Sequence, residues 1–286
     1  MSPPTPSSDA IPIPDGFGLW REARILADLA SGLLHLPRAA LAARGRPEPV
    51  LLLPGFTAGD ASMLPLRTFL RGLGWDARGW GLGRNRGDAP ALLPGVIECT
   101  ERIADATGHP VRMVGWSMGG FLAREAARER PDLVSGLITL GTPVVGGPKY
   151  TAVAALFRRR GYDLDAIEAE CVARSRRAIR APITAIYSRR DGVVAWQACI
   201  DRTSPDVEHV EVACTHAGLG FDLRVWCIVA ARLHGRPTQR ARRPRRPARS
   251  PGRMIDHDAR ERSVGEVLTA RRDSHFGRCP NTDRAL

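Results

Sequence analysis

Apolar residues along this chain follow two rhythms, and the alternation between them predicts its elements. The first rhythm is a short unbroken run. Pro49-Val-Leu-Leu-Leu-Pro54 has no polar position at all, as in a strand buried on both faces of a parallel sheet. Val111–Gly115, Leu133–Leu140 and Pro182–Ser188 read as further strands, Asp76–Leu82 as a short one and Val207–Ala213 as an alternating one. The second rhythm has helical spacing. In Gly18–Ala43, Leu19, Ala23, Leu26, Ala30 and Leu33 recur at steps of four and three, with Arg21, Glu22, Arg24 and Asp28 opposite and an interruption near Pro37. Helices are also predicted at Ser62–Gly72, Leu92–Thr107, Phe121–Arg130 (stopped by Pro131), Thr151–Arg160, Leu164–Arg177 and Leu219–Leu233.

Strands that alternate with helices imply right-handed crossovers and a mainly parallel sheet covered on both faces. About six strands give a compact, doubly wound α/β fold. One stretch, about 144–180, breaks the rhythm with two helical segments after a strand end. It reads as a small helical cap on the edge where such sheets keep their sites. The expected organisation is a disordered Pro/Ser-rich terminus (1–17), a segment carrying the amphipathic helix (18–48), the α/β domain (49–234) and a basic disordered tail (235–286).

Composition changes this picture in two places. The net charge of +12 suggests a nucleic-acid partner until it is divided. Residues 235–286 hold 14 Arg against 6 acids, which leaves only +4 for the rest of the chain. The tail lacks interleaved aromatics or a binding module, so no specific nucleic-acid role is expected. A weak membrane-surface contact through the N-terminal helix or the tail is the most that charge and amphipathicity support. The six cysteines form no C-x-x-C pair and no metal-like cluster with His, no basic and apolar leader opens the chain, and no apolar run reaches the ~18 residues that span a bilayer. A cytoplasmic protein with cysteines as small core residues is the expectation.

The chemistry concentrates at Gly115-Trp116-Ser117-Met118-Gly119. A strand, a sharp turn and a helix surround this serine, the context a Gly-x-Ser-x-Gly elbow requires. Two further strand ends supply partners, giving the chain order Ser117, Asp191, His216. A serine hydroxyl needs a base to become a nucleophile, an imidazole can take and return the proton, and a carboxylate can hold the imidazole tautomer. Asp222 and His209 compete for these roles, but Asp222 follows the histidine and His209 lies inside the alternating strand. The oxyanion that forms during attack needs donors. The Met118 N–H opens the helix after the elbow, and the Phe56 N–H lies in the loop after the first strand.

These residues, with Leu53-Pro-Gly-Phe56, Gly115-Trp-Ser-Met-Gly-Gly120, Leu140-Gly-Thr-Pro143, Tyr187-Ser-Arg-Arg-Asp-Gly-Val-Val194 and Thr215-His-Ala-Gly-Leu219, resemble the α/β-hydrolase superfamily, specifically its lipase/esterase-like members. The resemblance covers about 50–234, and it departs where many lipases carry His-Gly and this chain carries Pro54-Gly55. It implies a serine hydrolase acting on a small-molecule or lipid ester, with no metal or organic cofactor. An acyltransferase on the same fold, or a non-catalytic interaction protein, are the alternatives. Trp116 reads as packing or as a substrate contact. Val153, Leu156 and Phe157 in the cap are expected to line an acyl pocket.

Overall fold

The computed structural model describes Ile11, Pro12, Pro14 and residues 45–234. The amphipathic helix expected at Gly18–Ala43 and the basic tail from 235 lie outside the described residues. Within them, β1 (Pro49–Leu53), α1 (Asp60–Gly72), β2 (Asp76–Gly79), α2 (Ala89–Thr107), β3 (Val111–Trp116), α3 (Met118–Glu129) and β4 (Val134–Leu140) alternate strictly. The cap follows, with a 3-10 turn at Gly147–Tyr150, α4 (Ala154–Arg159) and α5 (Leu164–Ser175). Then come β5 (Ile183–Tyr187), a 3-10 turn at Trp196–Cys199, β6 (Val207–Glu211), α6 (His216–Phe221) and α7 (Leu223–Leu233).

The six strands form one sheet in the order β2-β1-β3-β4-β5-β6, and every neighbouring pair is parallel. This is the α/β-hydrolase type of doubly wound fold. The unbroken apolar run of β1 explains itself here, because all five of its residues are buried. Leu51 and Leu53 join one core layer with Val111 and Met113, under Val96 and Ile103 of α2 and Leu122 of α3. Val50 and Leu52 join the other layer with Val114, under Met63, Leu66 and Leu70 of α1 and Val225 and Val229 of α7. Strand order reverses between β1 and β3, so the crevice at their C-terminal ends is where a ligand site belongs.

Several boundaries differ from the sequence expectation, each for a local reason. The strand expected over Asp76–Leu82 ends at Gly79. The carboxylate of Asp60 there accepts from Trp80 N and Gly81 N, at 3.0 Å each, and draws the chain off the sheet. The helix expected from Leu92 starts at Ala89, where Asp88 caps it by accepting from Ala91 N at 3.1 Å. The single helix expected over Leu219–Leu233 is two, because Asp222 is extended (φ −79, ψ 123) and caps α7 through Arg224 N at 2.8 Å. In the cap, α4 is shorter than Thr151–Arg160 because Thr151 pairs in an antiparallel bridge with Val194.

Buried charges tie these layers together. Arg124 of α3 pairs with Asp201 at 2.7 Å, both side chains no more than 3% exposed. Asp201 also accepts from Thr203 N at 2.8 Å and Ser204 N at 3.1 Å, and its own N–H donates to His209 Nε2 at 3.0 Å. The cap is tied within itself and to α3. Glu168 of α5 accepts from Lys149 at 2.5 Å and from the Tyr150 hydroxyl at 2.6 Å. Arg174 of α5 bonds Glu125 of α3, which also holds Arg128.

Candidate active site

Ser117 follows β3 with φ 54 and ψ −120, a left-handed conformation that costs of order 1–3 kcal/mol for a residue with a Cβ. The surroundings hold it there. Its N–H donates to Leu140 O at 2.8 Å, and its carbonyl accepts from the Thr142 hydroxyl and from Gly120 N, both at 3.0 Å. The flanking glycines are needed for close approach. A Cβ at Gly119 would run into the Leu53 carbonyl, and one at Gly115 into the backbone of Gly120. The turn therefore presses β1, β3 and α3 together and lifts the serine side chain off the strand end.

Asp191 and His216 meet directly. His216 Nδ1 lies 2.6 Å from Asp191 Oδ2, and both side chains are nearly sealed from solvent. The other carboxylate oxygen accepts from Val193 N at 2.8 Å and Val194 N at 2.7 Å. This set of donors suits an ionised, acceptor-only carboxylate. It assigns the ring proton to Nδ1 and leaves Nε2 as the basic nitrogen. The two loops are joined by Ser188, whose hydroxyl donates to Cys214 O at 2.5 Å and accepts from Arg190 N at 3.0 Å. Thr215 caps α6 by accepting from Gly218 N at 3.0 Å, which sets His216 as the first residue of that helix. Residues 150–152 and 193–195 form a short ribbon, with Ala152 N on Val193 O at 2.7 Å and Ala195 N on Tyr150 O at 3.0 Å.

Ser117 follows β3, which β4 separates from β5 and the Asp191 loop in the sheet order. Trp116 links them, with its indole N–H on His216 O at 3.2 Å and its ring 5.9 Å from the imidazole and 5.7 Å from Phe221. The structure thus gives Trp116 a packing role that seats the histidine loop. On the other side, a Cβ at Gly55 would stand 3.5 Å from Ser117 Cβ, so the loop after β1 lies against the serine. Phe56 N–H is in that loop, and Met118 N–H is the first of α3, where helix geometry leaves it without an intrahelical partner and the dipole favours negative charge.

The expected acyl-pocket residues separate. Phe157 is buried against Phe56, with ring centroids 5.2 Å apart, and Val153 packs half-buried on the same cluster. Leu156 is 39% exposed and lies outside that cluster. The Tyr162 ring packs tilted at 5.4 Å from Phe157, and the Arg160 guanidinium lies 5.4 Å over the Phe56 ring; neither was anticipated.

Both competitors are accounted for elsewhere. Asp222 is held by Arg224 at the head of α7. His209 accepts from Asp201 N, and burial pushes its pKa below the usual imidazole value despite the carboxylate of Asp201. Sequence reasoning missed Thr142, Ser188 and Asn85, the polar residues that hold the three loops. Two of them lie in motifs singled out for the family, and Asn85 reads as a loop polar. Among the described residues, no three His, Cys, Asp or Glu side chains converge as a metal site, and no helix is long and apolar enough to cross a membrane.

Comparison with known proteins agrees with the fold. The Alpha/beta hydrolase family matches residues 50–283. The chain is 40% identical over 75 residues to the pimeloyl-[acyl-carrier protein] methyl ester esterase of Edwardsiella ictaluri, covering 26% of each chain. It is 36% identical over 72 residues to the enzyme of the same name from Sodalis glossinidius, covering 25% of each. The chain therefore matches about a quarter of the length of these curated relatives. Among solved structures, one from the metagenome-derived lipolytic enzymes LipS and LipT superposes with a TM-score of 0.51 at 18% identity, over 67% of this chain and 93% of that one.

Proposed function

The chain belongs to the alpha/beta hydrolase family, and from that premise we propose that it is a serine hydrolase of carboxylic esters working through an acyl-enzyme on Ser117. The observation that carries the proposal is the Asp191–His216 contact at 2.6 Å, tied to the Ser117 elbow by the Trp116 bond to His216 O at 3.2 Å. His216 Nε2 takes the Ser117 proton as Oγ bonds the ester carbonyl carbon. The negative charge that develops on the carbonyl oxygen is met by the N–H groups of Phe56 and Met118. His216 then returns the proton to the departing alcohol as the C–O bond breaks, and water repeats the sequence on the acyl-enzyme. Asp191 holds the tautomer and stabilises the imidazolium.

The partial likeness to two methyl ester esterases supports an ester as the bond cleaved. The apolar meeting of Phe157, Val153 and Phe56 supports a short or medium acyl chain under the cap. Fluorophosphonate labelling together with hydrolysis of p-nitrophenyl esters tests the reading. Wild type should label and turn over, and Ser117→Ala should do neither while keeping its fold. Unchanged turnover in purified Ser117→Ala would remove the serine from the mechanism.

A further inference from the structure

The loop that carries Phe56 has no sheet or helix to fix it, yet its N–H must aim within a fraction of an ångström at a developing oxyanion. One residue outside every motif supplies that fix, through its side chain and its backbone together. Asn85 is completely buried in the loop between β2 and α2. Its Nδ2 donates to Pro54 O at 3.0 Å, and its Oδ1 accepts from Gly87 N at 3.1 Å. Its backbone accepts from Thr57 N at 2.7 Å and donates to Ala58 O at 2.8 Å. Residues 54, 57 and 58 are thus all bound to residue 85, and Phe56 lies between the pinned positions.

Two further observations point the same way. Thr57 is, with Ser117, one of two non-glycine residues in the left-handed region among the described residues, at φ 64. Such strain persists only where the surroundings over-determine it, and the Thr57 N–H bond to Asn85 is part of that determination. Gly87, held by the Asn85 side chain, forms the bed of the Phe56 ring. It has φ 86, and a Cβ there would stand 2.8 Å from the ring.

We propose that Asn85 is a positioning residue for the reaction, setting the aim of the Phe56 N–H and hence the stabilisation of the oxyanion. The inference rests on the reading of Ser117 as an acyl-transfer nucleophile. Asn85 does not touch substrate, so its loss should reach the transition state and spare ground-state binding. Loss of one oxyanion donor, or its misplacement by about 1 Å, costs about 100-fold in rate.

The test uses full-length Asn85→Ala and the isosteric Asn85→Asp, which keeps an acceptor for Gly87 N but sets a carboxylate against Pro54 O. Both should lower kcat on a p-nitrophenyl ester about 100-fold with KM within threefold, and should slow fluorophosphonate labelling of Ser117 by a similar factor. Thr100→Val serves as the stability control. It removes a buried hydroxyl bonded to Val96 O at 2.7 Å within α2, and should lower the melting midpoint with kcat unchanged. A folded Asn85 variant with kcat within threefold of wild type, or with only KM raised, overturns the proposal. Wild type that neither labels nor turns over would sink the hydrolase reading instead. Amide exchange over 55–58 then still decides the clamp: it should be at least tenfold faster in Asn85→Ala, and unchanged exchange refutes it.

Discussion

Replacing Asp201 with Asn changes one atom and removes one charge, and the structure says what should follow. The carboxylate pairs with Arg124 at 2.7 Å where both side chains are within 3% of full burial. Asn retains an acceptor for Thr203 N and Ser204 N, so the turn at 201–204 keeps its bonds. What changes is Arg124. One of its guanidinium nitrogens, Nη1, is already buried without a partner, and the substitution leaves the whole cation uncompensated. Breaking one side of a buried pair typically costs about 3–5 kcal/mol, far above the ~0–1 kcal/mol of an exposed pair. For a domain of this size each kcal/mol moves the melting midpoint by about 2–4 °C, so a fall of about 6–20 °C is expected. The acid limb carries a second signature. Burial pushes the Asp201 carboxyl up, but Arg124 and the Thr203 N–H outweigh it and hold it below the usual range. A depressed folded value means that stability is fully present above the unfolded value of about 3.9 and is lost as pH falls through the folded one. Asp201→Asn should flatten that loss, and the double variant Arg124→Met/Asp201→Asn should regain most of the midpoint. Thermal denaturation from pH 7 down to pH 2 reads all three. A single variant within 1 kcal/mol of wild type would refute the reasoning.

Other expectations follow from individual contacts. His209, pushed down by burial, favours its neutral form in the fold, so stability should fall as pH drops below about 6.5, and His209→Gln should lessen that slope in melts between pH 5 and 7. Gly119→Ala should abolish hydrolysis and lower the midpoint, since its Cβ would meet the Leu53 carbonyl; wild-type kcat in that variant would contradict the elbow geometry. Asp191→Asn should keep the fold and lower kcat by about 10⁴, measured on a p-nitrophenyl ester, because the ring would lose its tautomer. With the cap as acyl pocket, kcat/KM should climb up to about fourfold per added methylene at ~0.8 kcal/mol each, until the pocket is full. Phe157→Leu should shift where that rise stops, and identical profiles would separate the cap from chain-length choice.

The sheet was legible because burial on both faces leaves a run such as Val50–Leu53 with no polar residue to mislead. The elbow was legible because its glycines answer to sterics that nothing else satisfies. What the chain hid were events decided by one polar contact. Nothing in the apolar spacing of 219–233 announces the break at Asp222, since the periodic positions continue through it and only the cap to Arg224 shows where the helix restarts. The early end of β2 depends on Asp60, twenty residues upstream of Trp80. Asn85 falls in a polar loop stretch, and polarity is visible in a sequence while burial of a polar group is not. Leu156 lies outside the Phe56–Phe157 cluster, and α4 is too short for an apolar stripe to declare which side faces in.

The ribbon between 150–152 and 193–195 has a practical consequence for anyone exchanging caps between such enzymes. Val193 and Val194 donate both backbone bonds to Asp191, and the same stretch receives the first residues of the cap through Ala152 N and the Thr151–Val194 bridge. The start of the insertion is therefore part of the acid's own housing. A graft joined at 144 would tear that housing open, whereas one joined after Val153 and returning before Arg176 would leave it whole. The functional module boundary lies about ten residues inside the topological one, and chimeras cut at the two places should differ in whether the histidine keeps its carboxylate.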